Sequence, residues 1–189
     1  MPHYKKLAGE KCYLSPCAPD DTENWAIWDN DPEVTLPLGD EAYTLTSLEK
    51  EQESLTSILK NQLPAFSIID LATEDLIGRG ILFEINQVDQ TAMLGMVIGE
   101  KAYWNRGYGQ EATRLLLDYA FNLLNLNSIM LGVYAFNERG IAAYRKVGFK
   151  EIGRRRQARI IAGQKHDVVL MDMLADEFRA LYPGGIRIS

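Results

Sequence analysis

Apolar positions alternate or run together through the first half of the chain and settle into a helical period in the second. Residues 11–15 read as a short opening strand, after which Asp20 and Asp21 offer helix caps ahead of Trp25, Ile27 and Trp28. Pro32, Pro37 and Gly39 interrupt residues 29–44, which predicts a loop or broken helix. Ser47-Leu48-Glu49-Lys50 opens a capping-box candidate, with Leu48, Leu55, Ile58 and Leu59 as one apolar face and Pro64 as the stop. Three strand-like stretches follow at hairpin spacing, over 65–71, 76–85 and 91–99. The third, around Met93–Ile98, is apolar on both faces and predicts a central strand.

Beyond a polar, glycine-bearing loop the period changes to 3.6. Ala112, Leu115, Leu116, Tyr119, Ala120 and Leu123 make one core-facing stripe of a helix. Residues 128–135 then read as a strand, 137–147 as a helix, and 149–153 with 160–173 as a closing pair of strands. The order, a β-rich front followed by β–loop–α–β–α–β–β, predicts a mixed α/β fold with a βα crossover after the central strand. No repeat, low-complexity tract or Gly/Ser linker divides the chain, so residues 1–189 read as one domain.

Composition narrows the function. With 189 residues, 47% hydrophobic and 24% charged, the chain is globular, and at this length it buries roughly 70% of its extended-chain surface without disulfide or metal support. No apolar run approaches the roughly 20 residues of a membrane span, and residues 1–6 lack the pattern of a signal peptide. A cytoplasmic protein with no membrane partner is expected. Two cysteines, Cys12 and Cys17, with only His3 and His166 beside them, exclude the usual four-ligand zinc site, so no metal is expected. The same scarcity removes Ser/His/Asp and Cys/His nucleophilic catalysis.

Residues 1–60 carry 12 acidic and 5 basic residues, whereas 61–189 carry 14 and 15. An acidic chain whose one basic run is Arg154, Arg155, Arg156 and Arg159 is a poor nucleic-acid binder; that run reads as a solvated hairpin.

Two runs carry candidate chemistry. Trp104-Asn105-Arg106-Gly107-Tyr108-Gly109-Gln110 lies between a buried strand and a helix start. A Gly-x-Gly there lets the backbone turn tightly and aim its amides, with the helix dipole behind them, at an anion. No Gly-Lys-Ser/Thr follows, which excludes a Walker loop. In the second run, Asn137 is a natural N-cap and Gly148 a natural stop before Phe149. Tyr144, on the face of Ile141, is equally readable as a core tyrosine or as a functional one.

Together these runs resemble the GNAT superfamily of acetyl-coenzyme-A-dependent N-acetyltransferases, strongly over residues 65–173. Gly107 and Gly109 match the glycines of its pyrophosphate loop, and Asn137 with Tyr144–Phe149 matches its Asn…Tyr-x-Lys-x-Gly-Phe pattern. Trp104 stands where Gln or Arg is usual, and Tyr103–Gly109 is similar to the RimJ/RimL and spermidine-acetyltransferase branch. The resemblance implies a mostly antiparallel sheet of about six to seven strands, flanked by helices and splayed at the centre. It implies acetyl-CoA as co-substrate, held by Met96, Val97 and Ile98, by Trp104, Asn105, Arg106, Gly107, Tyr108, Gly109 and Gln110, and by Asn137. It also implies Tyr144 as the acid that protonates the departing thiolate. The alternative is a GNAT-like sensor that binds acetyl-CoA without turnover.

The acceptor is expected to be a primary amine of a small molecule or peptide, with self-association into a homo-oligomer left open. An alkyl amine of pKa about 10.4 costs about 4.6 kcal/mol to deprotonate at pH 7, an α-amine near 8 only about 1.4. An alkyl amine therefore gains most from an acidic site. Glu84 is the candidate base, with Asp29, Asp31 and Glu33 as carboxylates that would hold a polyamine. Arg154–Arg159 argues for a carboxylate-bearing acceptor or a peptide instead.

Overall fold

A computed structural model describes residues 3–185 of the chain. Its eight strands form one sheet in the order β1-β2-β3-β4-β5-β6-β8-β7. These are β1 (Leu7–Ala8), β2 (Cys12–Pro16), β3 (Ala65–Asp70), β4 (Leu76–Asn86), β5 (Thr91–Ile98), β6 (Ser128–Tyr134), β7 (Lys150–Ile161) and β8 (Gln164–Leu174). Six helices accompany them: α1 (Asp21–Asp29), α2 (Pro32–Thr35), α3 (Leu48–Lys60), α4 (Tyr108–Asp118), α5 (Glu138–Val147) and α6 (Ala175–Leu181). Among the described residues no helix is long and apolar enough to cross a membrane.

Every neighbouring pair of strands is antiparallel except β5 and β6. That parallel pair is joined by α4, as a crossover requires. Pairing covers only Thr91–Met93 against Ser128–Met130. Beyond Met93 the strands part: β4 stays paired with β5 as far as Ile98, and β8 stays paired with β6 as far as Tyr134. The centre of the sheet is therefore split from Leu94 onward.

The sheet separates two apolar clusters, as the alternation of β5 demands, and the irregularity opposite Ile68 and Ile69 turns Leu76 to the second of them. Leu82, Leu94, Met96 and Ile98 pack with Leu115, Leu116 and Phe121 on one side. Leu76 and Val97 pack with Trp25, Trp28, Val34 and Leu55 on the other.

Three departures from the sequence pattern have local causes. After α4 a π-helical turn covers Tyr119–Leu123, with Leu124 N–H bonded to Tyr119 O at 3.1 Å. The extra residue rotates the face, so Leu123 is exposed and Phe121 is buried. In α3 the Ser47 hydroxyl accepts from Lys50 N–H at 3.2 Å, but a lysine at N3 cannot return the bond, so only half a capping box forms. Its buried stripe is Glu51 and Leu55, with Leu48 and Leu59 exposed. The arginine run lies within β7, because an edge strand with one wet face tolerates charge. Arg159 alone turns inward: it is buried, donates to Gly39 O and to Tyr134 OH (2.8 Å), and packs over the Tyr43 and Tyr134 rings.

Candidate active site

The split in the sheet opens into two cavities that meet. One, a groove of about 390 Å³, runs over the separated edge of β5 to the start of α4. The other, about 650 Å³, lies over the face of β4 and β5 beneath α1, α3 and the loop between α2 and α3. Both are lined by Met96, Val97, Pro37, Leu38, Asn137 and Tyr144.

Conformation at the mouth of the groove is dictated by residue type. Gly107 caps α4 at φ +88°, where an L side chain is strained, although a Cβ there would meet nothing nearer than Lys11 at 3.6 Å. Asn105 is also left-handed, at φ +59°, a region that asparagine tolerates best among non-glycines. Gly109 has an ordinary φ, and a Cβ on it would lie 3.6 Å from Ile98. No side chain caps α4, so its first amides and the positive end of its dipole face the groove. Glu111, one turn on, accepts from the backbone N–H groups of Glu10, Lys11 and Cys12 at 2.7–2.9 Å and fastens the helix to the β1–β2 turn. Burial opposes ionisation of Glu111, but these donors together hold its pKa below the ordinary glutamate value.

Met96, Val97, Ile98, Trp104, Asn105, Gly107, Tyr108, Gly109, Gln110, Asn137 and Tyr144 all line this groove. Arg106 does not; its guanidinium lies over the Tyr103 and Tyr108 rings and donates to Ala102 O. Trp104 Nε1 donates to Ile98 O at 2.7 Å, and Arg139 stacks on the indole at 3.8 Å. Arg139 was invisible as a site residue, though it lies two positions beyond the Asn137 cap. Asn137 itself is occupied by structure: Oδ1 accepts from Gly140 N–H at 2.9 Å and Nδ2 reaches Pro37 O.

Tyr144 stands where the cavities join. Its ring packs edge-on against Phe149 at 5.7 Å, and among the described residues its hydroxyl has no protein partner. Burial pushes the phenol up to about 12, so it stays protonated throughout the working range.

The carboxylates fall differently from expectation. Glu84 sits at the bulge between Phe83 and Asn86 with φ +50°, exposed, and lines neither cavity. Alternation along β4 turns Arg79, Ile81 and Phe83 to the cavity instead, so the proposed base is not at the site. Glu33, 72% exposed, joins Asp31 in holding Lys101 on the surface. Asp29 does line the larger cavity, but Arg79 Nη2 donates to both its oxygens at 2.8 and 2.6 Å. Arg79 and Glu51 were missed. The available signal was a glutamate three residues after Leu48 and four before Leu55, on the apolar face of α3.

A mixed sheet parted between parallel strands, with an uncapped helix at the mouth of the gap, offers an anion site beside an unpaired strand edge. Residues 11–150 match the acetyltransferase (GNAT) domain, so the chain belongs to the GNAT family and is an acetyl-transferring enzyme. The uncharacterized N-acetyltransferase p20 of Bacillus licheniformis is 30% identical over 151 residues, covering 79% of this chain and 84% of the relative. A spermidine N(1)-acetyltransferase of Vibrio cholerae is 30% identical over 111 residues, 59% of this chain and 64% of that relative, just under two thirds of its length. The crystal structure of a Vibrio cholerae spermidine N-acetyltransferase in complex with CoA and spermine superposes with TM-score 0.81 at 26% identity, covering 88% of this chain and 97% of that one. The sheet has eight strands where about six to seven were expected, and the one not read from the sequence is the short β1, paired on β2 at one edge. Among the described residues no cluster of three or more His, Cys, Asp or Glu could hold a metal ion.

Proposed function

We propose that the protein moves an acetyl group from acetyl-CoA to a primary amine by direct attack, with Tyr144 as the general acid. The observation that carries this reading is the Tyr144 hydroxyl, without a protein partner among the described residues, at the junction of two cavities. The smaller groove suits acetyl-CoA. Its strand edge offers backbone groups unpaired by β6, and its uncapped helix start suits a pyrophosphate. A protein that only sensed acetyl-CoA would not need the second cavity, which suits the amine.

Acetyl-CoA supplies an activated acyl group. Backbone donors at the parted edge of β5 are preorganised for the oxyanion formed when the amine attacks. Tyr144 holds the proton that the departing sulfur needs. A phenol at about 12 is a weak acid, but the same desolvation raises the proton affinity of a thiolate beside it. Support for an amine acceptor comes from the spermidine acetyltransferase relatives. The direct test is release of free thiol from acetyl-CoA in the presence of spermidine, amino acids, aminoglycosides and N-terminal peptides. Acceptor-dependent release is expected with at least one amine class; tight acetyl-CoA binding with no release would favour the sensor.

A further inference from the structure

The larger cavity holds a charged cluster to which neither acetyl-CoA binding nor proton transfer by Tyr144 assigns a role. Arg79 on β4 lies in register with Val97 on β5, so the two side chains leave the same face of the sheet. Val97 lines both cavities. Arg79 Nη2 takes both oxygens of Asp29, its Nη1 donates to Glu51 Oε2 at 3.2 Å, and its guanidinium covers the Trp25 ring at 4.9 Å. All four residues line the cavity, and the side chains of Asp29 and Glu51 are 6% and 7% exposed.

Two carboxylates share one guanidinium, so the ionised cluster carries one negative charge in excess. Asp29 has no oxygen left over. Glu51 has one: Oε2 is held at the longer distance, and among the described residues Oε1 has no hydrogen-bond partner. A carboxylate oxygen without a partner, on a largely buried side chain that lines a cavity, is a site for a donor that the protein does not supply.

We propose that Glu51 receives the ammonium group of the acceptor and takes its proton, with Arg79 and Asp29 as the pair that positions it. This rests on the reading of the protein as an amine acetyltransferase. One N–H proton of the ammonium passes to Glu51 Oε1. The freed lone pair forms the C–N bond to the acetyl carbon, the C–S bond breaks, and Tyr144 gives its proton to sulfur. As the amide forms, a second N–H proton restores the phenol. Glu51 then returns its proton to solvent, so one proton is released per turnover.

The surroundings of Glu51 suit this task. Burial raises its pKa and Asp29 from α1 adds to the rise, while Arg79 from β4 and Lys50 on its own helix oppose it. A carboxylate whose pKa is raised is a stronger base.

Glu51→Gln keeps the side-chain shape and an oxygen for Arg79. It is assayed with acetyl-CoA and spermidine, 1,4-diaminobutane or n-butylamine from pH 6.5 to about 9.5. At pH 7, kcat/KM for the amine is expected to fall about 10²–10⁴-fold, the usual worth of a positioned base, with KM for acetyl-CoA unchanged. The deficit should shrink about tenfold per pH unit as the amine loses its own proton. A deficit that is the same at every pH, or smaller than about threefold, overturns the proposal, since a purely structural role carries no such pH dependence. If the glutamine variant melts early, Glu51→Asp keeps the charge and withdraws the oxygen; the same pH-dependent deficit in a stable protein is expected. A wild-type protein silent with every amine overturns the proposed function and this inference with it. An active wild type with an unaffected Glu51→Gln overturns the assignment of Glu51 alone.

Discussion

The two cavities are built from different materials. The groove over β5 is made by backbone: a parted strand edge, a left-handed glycine at φ +88° and the open end of α4. The larger cavity is made by side chains delivered from far apart in sequence, with Arg79 bonded to partners 28 and 50 residues away. Backbone chemistry is the same in every protein, so the groove can hold one constant ligand by geometry alone. Side-chain chemistry is particular, so the second cavity is where one acetyltransferase differs from another. Tyr144 belongs to both, and the largest predicted effect falls there.

Tyr144→Phe removes the hydroxyl and keeps the ring against Phe149. We expect kcat to fall by about 10²–10⁴-fold, with kcat/KM falling alongside, because the proton moves in the transition state. Acetyl-CoA affinity should change by less than about tenfold. A core tyrosine would instead lose stability through a missing hydrogen bond. This hydroxyl has no protein partner among the described residues, so the melting temperature should hold. Turnover and melting temperature measured on one preparation separate the two. A stable, fully active variant would detach Tyr144 from the chemistry and leave it as a wall common to both cavities.

Gly107→Val probes the backbone side of the comparison. A β-branched residue at φ +88° is strained by more than the roughly 1–2 kcal/mol that a left-handed conformation costs an ordinary residue. Acetyl-CoA affinity should drop by about tenfold or more, read by calorimetry on folded protein. Gly109→Ala should lose less, because Gly109 has an ordinary φ and room for a Cβ. Equal losses would mean that close approach of the ligand at both glycines, and not the conformation of Gly107, governs binding.

This contrast also explains which features were legible in the sequence. The strands β3 to β6, the helices α4 and α5 and the glycine loop were legible because each is fixed by neighbours within a few residues. Asn137, Gly107 and Gly148 announce themselves as caps or turns by residue type alone. The Asp29–Arg79–Glu51 cluster has no such local signature. It exists only once α1, α3 and β4 are stacked, and Glu51 between Leu48 and Leu55 carries no sign in the sequence of the partners it meets. Glu84 failed for a related reason: which face of β4 meets the cavity is settled only once α1 and α3 cover Arg79, Ile81 and Phe83, and alternation then points Glu84 the other way. The same holds for Leu123, which the π turn moves out of the core.

Glu33→Gln should have the smallest effect and tests whether charge outside the cavities matters. Its carboxylate is 72% exposed, lines neither cavity and shares Lys101 with Asp31 at 2.7 Å. The Lys101 hydrogen bond holds Asp31 below its ordinary pKa, so the lysine keeps an ionised partner when Glu33 is neutralised. Exposed ion pairs of this kind are screened by water and salt and contribute little. We therefore expect the acceptor KM for spermidine to change by less than about twofold, at low salt as well as at 0.15 M. A rise of about tenfold at low salt that disappears at high salt would show that the acidic front of the molecule steers a cationic acceptor towards the cavity. A rise that persists at high salt would place Glu33 in direct contact with the acceptor, and the boundary of the larger cavity would then have to be drawn to include α2.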